Sequence, residues 1–148
     1  MALTKKTGYG LIAMTRLAGL AEGRLASARE IAEQFGVPQS LLMNVLKDLA
    51  SAGYVESVRG AHGGYRLAKP AEEISLGGVI TAVEGPVRLA ECVRDETGDD
   101  EECTCQVMAA CPIADPVHRV HRRLNDFLNK VTLAELIDPS LTVARSQT

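Results

Sequence analysis

Aromatic residues are nearly missing from this sequence, because only 3% of its 148 residues are Phe, Trp or Tyr and none is Trp. The hydrophobic core must therefore rest on Leu, Ile, Val, Ala and Met. Long apolar runs are missing too, since no stretch approaches the roughly 18 residues that a membrane-spanning helix needs. The basic start of the chain, Thr4-Lys5-Lys6, is not followed by an apolar segment with a cleavage site, as a secretion signal would be. These absences predict a cytoplasmic globular protein.

A strong positive charge is also absent, because the net charge is −3. That value argues against a general nucleic-acid binder, but the charges are unevenly distributed along the chain. Residues 1–90 carry ten Lys and Arg against eight Asp and Glu, whereas residues 91–148 carry six against eleven. Any surface that binds phosphate should therefore lie in the first part of the chain.

The first part of the chain predicts three helices, the last two joined by a tight turn. An amphipathic helix over residues 7–21 comes first. Ser27 and Glu30 then form a capping box for a short second helix, and Gly36 permits the turn that ends it. A third helix follows over residues 38–52. This pattern is typical of a helix-turn-helix, whose second helix can enter the DNA major groove, but two helices of any small bundle would also produce it.

The third predicted helix has two different faces. Its core-facing spacing is apolar, at Leu42, Val45, Leu46 and Leu49. The opposite face would be the one that reads DNA, and it consists of Gln39 at the leading edge, Ser40, Met43, Asn44 and Lys47.

A β-hairpin is predicted directly after this helix. Residues 54–59 alternate like a strand, residues 60–64 are a glycine-rich tip, and residues 65–67 return as a second strand. A hairpin after a helix-turn-helix is a wing, and Arg59 and His62 would let its tip approach a sugar–phosphate backbone or a minor groove. The alternative is an exposed turn whose arginines only aid solubility.

Towards the C-terminal end the sequence predicts a long helix, with Asp115 as its N-cap and Pro116 in its first turn. Its apolar residues follow a heptad seam formed by Val117, Val120, Leu124, Phe127 and Val131. The seam is too short for an autonomous coiled coil, so it would pack either on the chain's own core or on a second copy. Because residues 7–85 already provide a core, we prefer a homodimer.

All four cysteines fall within 20 residues, at Cys92, Cys103, Cys105 and Cys111. In a reducing compartment such a group more often binds metal or takes part in redox chemistry than forms disulfides. The spacing lacks the Cys-x2-Cys or Cys-x4-Cys pair of most structural zinc sites, whereas iron–sulfur clusters tolerate less regular spacing. An iron–sulfur cluster, a zinc site and metal-free redox thiols therefore all remain open, in that order of preference.

A resemblance to a known family is carried by residues 53–67, GYVESVRGAHGGYRL, and by residues 127–136, FLNKVTLAEL. The chain resembles winged-helix iron–sulfur transcription regulators of the IscR and NsrR type, and its wing looks most like that of regulators of the SUF cluster-assembly system. The resemblance implies a mainly α fold with a small β-hairpin wing and a long C-terminal dimerisation helix. The implied divisions are a winged helix-turn-helix domain (1–89), a cysteine-rich cluster-binding loop (90–113) and the dimerisation helix with a tail (114–148).

The resemblance also implies a ligand set. Such regulators typically hold their cluster with three cysteines, the last two separated by five residues, which points to Cys92, Cys105 and Cys111. A 2Fe–2S cluster is preferred to a 4Fe–4S cluster. The chain departs from the family at the fourth ligand, because the corresponding positions are Ala114 and Gly8, which cannot ligate. The candidates for this role are Cys103, Asp115, His118 or an exogenous ligand.

The sequence thus predicts a homodimeric transcriptional regulator that binds a double-stranded operator and senses cluster status, iron, redox state or nitric oxide. It would control iron–sulfur biogenesis or stress genes, with cluster-assembly proteins as implied cluster donors. The alternative is a metal-free winged-helix repressor switched by cysteine oxidation. An enzyme is not indicated, since no phosphate loop or nucleophile–base pair is present. IscR-like proteins carry an acidic selectivity residue where this chain has Met43, so we expect a related but different operator.

Overall fold

The computed structural model describes residues 4–89 and 110–138. The elements in these ranges are α1 (Lys5–Ala18), α2 (Ala28–Phe35), α3 (Gln39–Ser51), β1 (Val55–Val58), β2 (Gly64–Leu67), a short 3-10 helix (Ala71–Glu73), α4 (Leu76–Glu84), α5 (Ala114–Lys130) and α6 (Leu133–Ile137). The described chain is mainly helical with one antiparallel hairpin, which confirms the predicted fold class. None of its helices is long and apolar enough to cross a membrane.

Local capping sets the boundaries of the first two helices. The helix predicted over residues 7–21 begins earlier, because the Thr4 hydroxyl accepts a backbone N–H of its first turn at 3.2 Å. The capping box of α2 is confirmed, since Ser27 Oγ accepts from the Glu30 N–H at 3.1 Å and the Glu30 carboxylate accepts from the Ser27 N–H at 3.4 Å. Gly36 then ends α2 with a φ of 66°, a left-handed conformation that glycine adopts at little cost.

The core forms where α1, α3 and α4 pack against one another, with α2, β1 and α6 around them. Its largest fully buried side chains are aliphatic or thioether groups, among them Met14, Ile31, Leu42, Leu46, Leu49, Ile74, Ile80 and Leu133. The core described here therefore relies on close packing of small and branched side chains rather than on aromatic rings.

The start of α5 differs from the sequence prediction. The chain turns before the helix, and the Ala114 N–H donates to the Cys111 carbonyl at 3.5 Å. The prediction that Asp115 caps the helix is wrong, because Ile113 occupies the N-cap and no side chain makes a capping hydrogen bond there. The carboxylate of Asp115 instead lies exposed in the first turn.

The C-terminal end of α5 is fastened to the turn that precedes α4. The Leu76 N–H donates to the Val131 carbonyl and the Leu133 N–H donates to the Ile74 carbonyl, both at 2.8 Å. Leu133, the first residue of α6, is 1% exposed and belongs to the main core. The long helix therefore packs against α4 and is hydrogen-bonded to the winged domain at its C-terminal end.

Candidate nucleic-acid interface and cysteine site

The rotation of α3 is fixed by its buried face, where Leu42, Val45, Leu46 and Leu49 are at most 1% exposed. All five side chains that the sequence assigned to DNA lie on the exposed part of this helix: Gln39, Ser40, Met43, Asn44 and Lys47. In the described part of the chain none of the five makes a side-chain hydrogen bond or an ion pair. Their donors and acceptors are thus available to an external partner.

The wing is hydrogen-bonded to Ala26, the residue before the N-cap of α2. The Ala26 N–H donates to the Tyr65 carbonyl at 3.1 Å, and the Tyr65 N–H donates back to the Ala26 carbonyl at 2.8 Å. Gly64 lies so close to this bridge that a Cβ would stand 2.8 Å from the Ala26 carbonyl carbon. Glycine is therefore required at this position by a close backbone approach, and the approach holds the wing in a fixed position beside the helix-turn-helix.

The charged side chains of the wing differ in whether an ion pair within the wing already engages them. Arg66 forms an ion pair with Glu56, directly opposite on β1, at 2.7 Å. Arg59 and His62 are exposed near the tip, and within residues 4–89 and 110–138 Arg59 has no ion-pair partner. Arg59 can therefore meet a phosphate group without first losing a carboxylate.

Sequence reasoning missed Lys5 and Lys6. Both are exposed in the first turn of α1, and they border an open groove of about 600 Å³ together with Leu41 of α3 and with Val83 and Glu84 of α4. A cation in the first turn of a helix interacts unfavourably with the helix dipole, by about 0.3–1 kcal/mol. Helix stability therefore does not explain this pair. The signal available in the sequence was two lysines in a first turn without an acidic residue.

Beside the same groove, the end of α4 is hydrogen-bonded to the residue that precedes α1. The Thr4 N–H donates to Glu84 Oε1 at 2.8 Å, and the Thr4 hydroxyl donates to the same oxygen. The hydroxyl bond is the main reason that the pKa of Glu84 lies below the usual glutamate value, and the nearby charge of Lys6 lowers it further. Partial burial of the carboxylate works in the opposite direction.

One of the proposed cluster ligands can be placed. Cys111 has a free, half-buried thiol two residues before the N-cap of α5. Of the candidate fourth ligands, Asp115 is exposed and His118 is half-buried. Cys92, Cys103 and Cys105 lie outside the described residues. Within those residues no three His, Cys, Asp or Glu side chains are grouped closely enough to hold a metal ion.

The donor chemistry at Cys111 suits the group that the sequence predicts. A thiolate is a soft ligand that favours iron–sulfur clusters, zinc or copper(I). The N-terminal end of a 17-residue helix lies next to it, and the helix dipole there favours negative charge such as that of a thiolate-ligated cluster.

Comparison with known proteins identifies the chain at the family level. The model of the Rrf2 family, described as an iron-dependent transcriptional regulator, matches residues 3–139. The chain belongs to the Rrf2 family. Members of this family are DNA-binding transcriptional regulators rather than enzymes, and they are typically dimeric. The predicted resemblance is thereby confirmed.

Solved Rrf2-like structures superpose over nearly the whole chain. CymR, the global cysteine regulator of B. subtilis, is 28% identical with a TM-score of 0.68, and the match covers 93% of this chain and 96% of CymR. A transcriptional regulator from Listeria innocua is 32% identical with a TM-score of 0.74, over 95% and 88% of the two chains. IscR from T. potens is 26% identical with a TM-score of 0.68, over 100% and 94%.

In this Rrf2 chain the apolar seam of α5 divides into two rows. Val117, Leu124 and Val131 are half-buried. The other row consists of Val120 and Phe127, which are 55% and 62% exposed, and it continues at seven-residue spacing to Ile113, which is 59% exposed. In the described part of a single protomer, an apolar row along the longest helix is thus exposed to solvent.

The inward face of the same helix carries a histidine that sequence reasoning also missed. His121 is only 3% exposed, and its Nε2 accepts a hydrogen bond from Asn125 Nδ2 at 3.0 Å. The signal was its spacing, since His121 stands four residues after Val117 and three before Leu124, on the half-buried side of the helix.

Proposed function

We propose that this Rrf2 regulator reads the bases of its operator with the exposed face of α3 and contacts the flanking DNA backbone with the wing. The observation that carries the proposal is the exposed row on α3, whose side chains have no partner among the described residues and whose opposite face is fully buried. Asn44 can make a bidentate contact with adenine, while Lys47 suits a phosphate. Arg59 and His62 of the wing would add contacts to the sugar–phosphate backbone or the minor groove.

The N-terminal pair Lys5 and Lys6 extends this surface. Both lie beside the groove that also contacts Leu41 in the first turn of α3. Two lysines on that side and the wing arginine would contact the backbone as positioning groups, which add affinity without reading sequence.

Selection from a random-sequence duplex library tests the DNA surface. The wild type should recover a palindrome, because a two-fold dimer reads two equivalent half-sites about 10 base pairs apart or a multiple of that spacing. Asn44→Ala should lose about 1–3 kcal/mol of discrimination at one base pair, and Arg59→Ala should weaken binding to all sequences alike. Unchanged affinity and motif in both variants would remove this surface from the interface.

We further infer that the uncovered row of α5 is the homodimer contact. Ile113, Val120 and Phe127 are large, apolar and more than half exposed, and an apolar row of this kind on a regulator of a typically dimeric family requires a partner. A second copy supplies an identical row, as a two-fold interface requires.

The proposed sensor is an iron–sulfur cluster held by Cys92, Cys105 and Cys111. Support comes from the soft-ligand chemistry of four cysteines within 20 residues and from a family model described as iron-dependent. When bound, such a cluster supplies a one-electron redox centre that iron loss, oxidants or nitric oxide can alter. The 2Fe–2S type and the fourth ligand, among Cys103, Asp115 and His118, stay predictions.

The coupling to DNA runs through the helices that are packed on one another. Cys111 precedes α5, α5 packs against α4, and α4 packs against α3. A change in the position of Cys111 can therefore alter the placement of α5 relative to its partner copy, and with it the relative placement of the two α3 helices.

Anaerobic purification tests the cluster. Wild type should show visible absorption with stoichiometric iron and sulfide, and Cys92→Ala, Cys105→Ala or Cys111→Ala should abolish it. Cys103→Ala removes a neighbouring thiol that is only a candidate fourth ligand, so it should at most weaken retention. Full cluster content in Cys105→Ala combined with loss in Cys103→Ala would reverse the ligand assignment.

A second candidate function is a metal-free thiol switch, and the likeness to CymR is compatible with it. A colourless, zinc-free protein whose operator affinity changes reversibly with thiol oxidation would establish this alternative in place of the cluster. Mass spectrometry of the oxidised form would then identify which of the four cysteines react.

A further inference from the structure

Two methionines lie in the described part of the chain, and they occupy opposite environments. Met14 is 0% exposed in the core, whereas Met43 is 37% exposed on α3. A thioether is oxidised only where an oxidant can reach its sulfur, so the core protects Met14 while Met43 is accessible in the DNA-free protein.

Met43 also lies where a change of polarity would matter. It stands on the exposed side of α3 beside Asn44, one turn after Ser40 and one turn before Lys47. The fold does not depend on its side chain, because the buried face of α3 is formed by other residues. A polar group at this position would therefore leave the domain folded but alter what the helix can contact.

We propose that Met43 is an oxidation site through which oxidants weaken operator binding without any cysteine. This inference rests on the proposed role of α3 as the DNA-reading helix. The chemistry needs a peroxide or hypochlorous acid as oxidant. The thioether sulfur attacks one oxygen of hydrogen peroxide, forming an S–O bond, while the O–O bond breaks and its electron pair goes to the departing oxygen. The proton of the transferred oxygen passes to the departing hydroxide, which leaves as water, so that sulfur is oxidised by two electrons and the peroxide is reduced.

The product is a methionine sulfoxide, a polar hydrogen-bond acceptor in place of an apolar thioether. At a base edge the thioether can contact a thymine methyl group, whereas the sulfoxide oxygen needs a donor. Phosphate oxygens are hydrogen-bond acceptors too, so they cannot donate to the sulfoxide oxygen. Burial of the sulfoxide without a donor should weaken operator binding about tenfold.

The experiment compares wild type with Met43→Leu, which keeps an apolar side chain of similar size. Both proteins are treated with hydrogen peroxide and then with dithiothreitol, which reverses disulfides and sulfenic acids but not sulfoxides. Affinity is measured on a duplex recovered by the wild type from a random-sequence library. Relative to its own untreated affinity, wild type should lose about tenfold more than Met43→Leu, and methionine sulfoxide reductases should remove that difference.

Two further measurements sharpen the test. Peptide mass spectrometry should show that bound duplex protects Met43 from oxidation, because the interface covers its sulfur. Met43→Gln, which places a polar acceptor at the site, should weaken binding before any oxidant is added. Since wild type and Met43→Leu have the same cysteines, any contribution from a cluster or a thiol is equal in both.

Unchanged affinity of a fully sulfoxidised Met43 would overturn the proposal, as would an equal, dithiothreitol-resistant loss in Met43→Leu. Asn44→Ala and Lys47→Ala separate this outcome from failure of the DNA surface. If those variants bind more weakly while oxidised Met43 binds normally, only the oxidation site is wrong. If they too bind normally, α3 does not read the operator.

Discussion

The helix-turn-helix with its wing and the long helix α5 expose opposite kinds of side chains. On α3 the buried face is apolar and the exposed face is largely polar, so the element is complete within one chain. On α5 the inward face includes a buried histidine, while an apolar row that includes Val120 and Phe127 is exposed. This difference supports the two proposals, that α3 presents a polar surface to DNA and that the exposed row of α5 contributes half of a dimer interface.

The largest expected effect is on assembly. Phe127→Lys should weaken the dimer at least about 100-fold, because each copy loses about 1.5–3 kcal/mol of buried aromatic surface and gains an unpaired buried charge. The monomer fold should be little affected, since Phe127 is already 62% exposed in one chain. Analytical ultracentrifugation measures the dimer constant. Asp126→Lys, which adds a lysine at the neighbouring exposed position, is the control, and dimers of equal strength in both variants would place the interface elsewhere.

The next effect concerns the attachment of the wing. Gly64→Ala should destabilise the fold by about 1–3 kcal/mol, because its Cβ would overlap the Ala26 backbone and displace the hairpin. Gly8→Ala is the matched control, since nothing lies within 4 Å of a Cβ there. Gly8→Ala, at an exposed position of α1, should stabilise the fold by up to about 1 kcal/mol. Urea unfolding of both variants tests the sign of each, and a harmless Gly64→Ala would show that the bridge to Ala26 is not tight.

A smaller effect is expected from single charges on the two regions. Lys47→Ala should weaken all duplexes similarly and reduce the slope of log affinity against log salt by about one unit. Lys130→Ala removes an exposed lysine at the C-terminal end of α5, so its slope should equal that of the wild type. Fluorescence anisotropy titrations at several salt concentrations give both slopes. Equal slopes for the two variants would argue that Lys47 meets no phosphate.

The smallest effect is the pH dependence of the contact between Thr4 and Glu84. The pKa of Glu84 is lowered in the folded protein, chiefly by the Thr4 hydroxyl. The contribution of the ionised Glu84 carboxylate to the free energy of unfolding is therefore complete above the usual glutamate pKa. It is lost as the pH falls through the lowered pKa of the folded protein. At neutral pH Glu84→Gln should cost about 0.3–1 kcal/mol, as for a carboxylate near a helix N-terminus.

Urea unfolding at neutral and acidic pH measures this dependence. The difference between wild type and Glu84→Gln should shrink in acid, where the wild-type carboxyl is also neutral. A difference that stays constant across this range would mean that the charge of Glu84 contributes nothing to the contact.

Capping, turn and periodicity patterns in the sequence were sufficient to predict the elements that depend only on residues close together in the chain. The capping box of α2, the turn at Gly36 and the two faces of α3 all follow from interactions within a few residues, and the structure has them as predicted. The same rules failed at α5, where Asp115 and Pro116 look like a cap and a first residue. There the turn after Cys111 starts the helix at Ala114, so the cap falls on Ile113.

The sequence by itself determined the helix-turn-helix, the hairpin and the heptad spacing of α5, because periodicity and turn chemistry are local properties of the chain. Only the tertiary structure decided which half of the seam is covered and why Gly64 is required. It also decided that Lys5 and Lys6 stand beside α3, since these features depend on contacts between residues far apart in sequence. The reason is physical: a side chain's spacing fixes the face it occupies, but burial and close approach depend on what the rest of the chain places against that face.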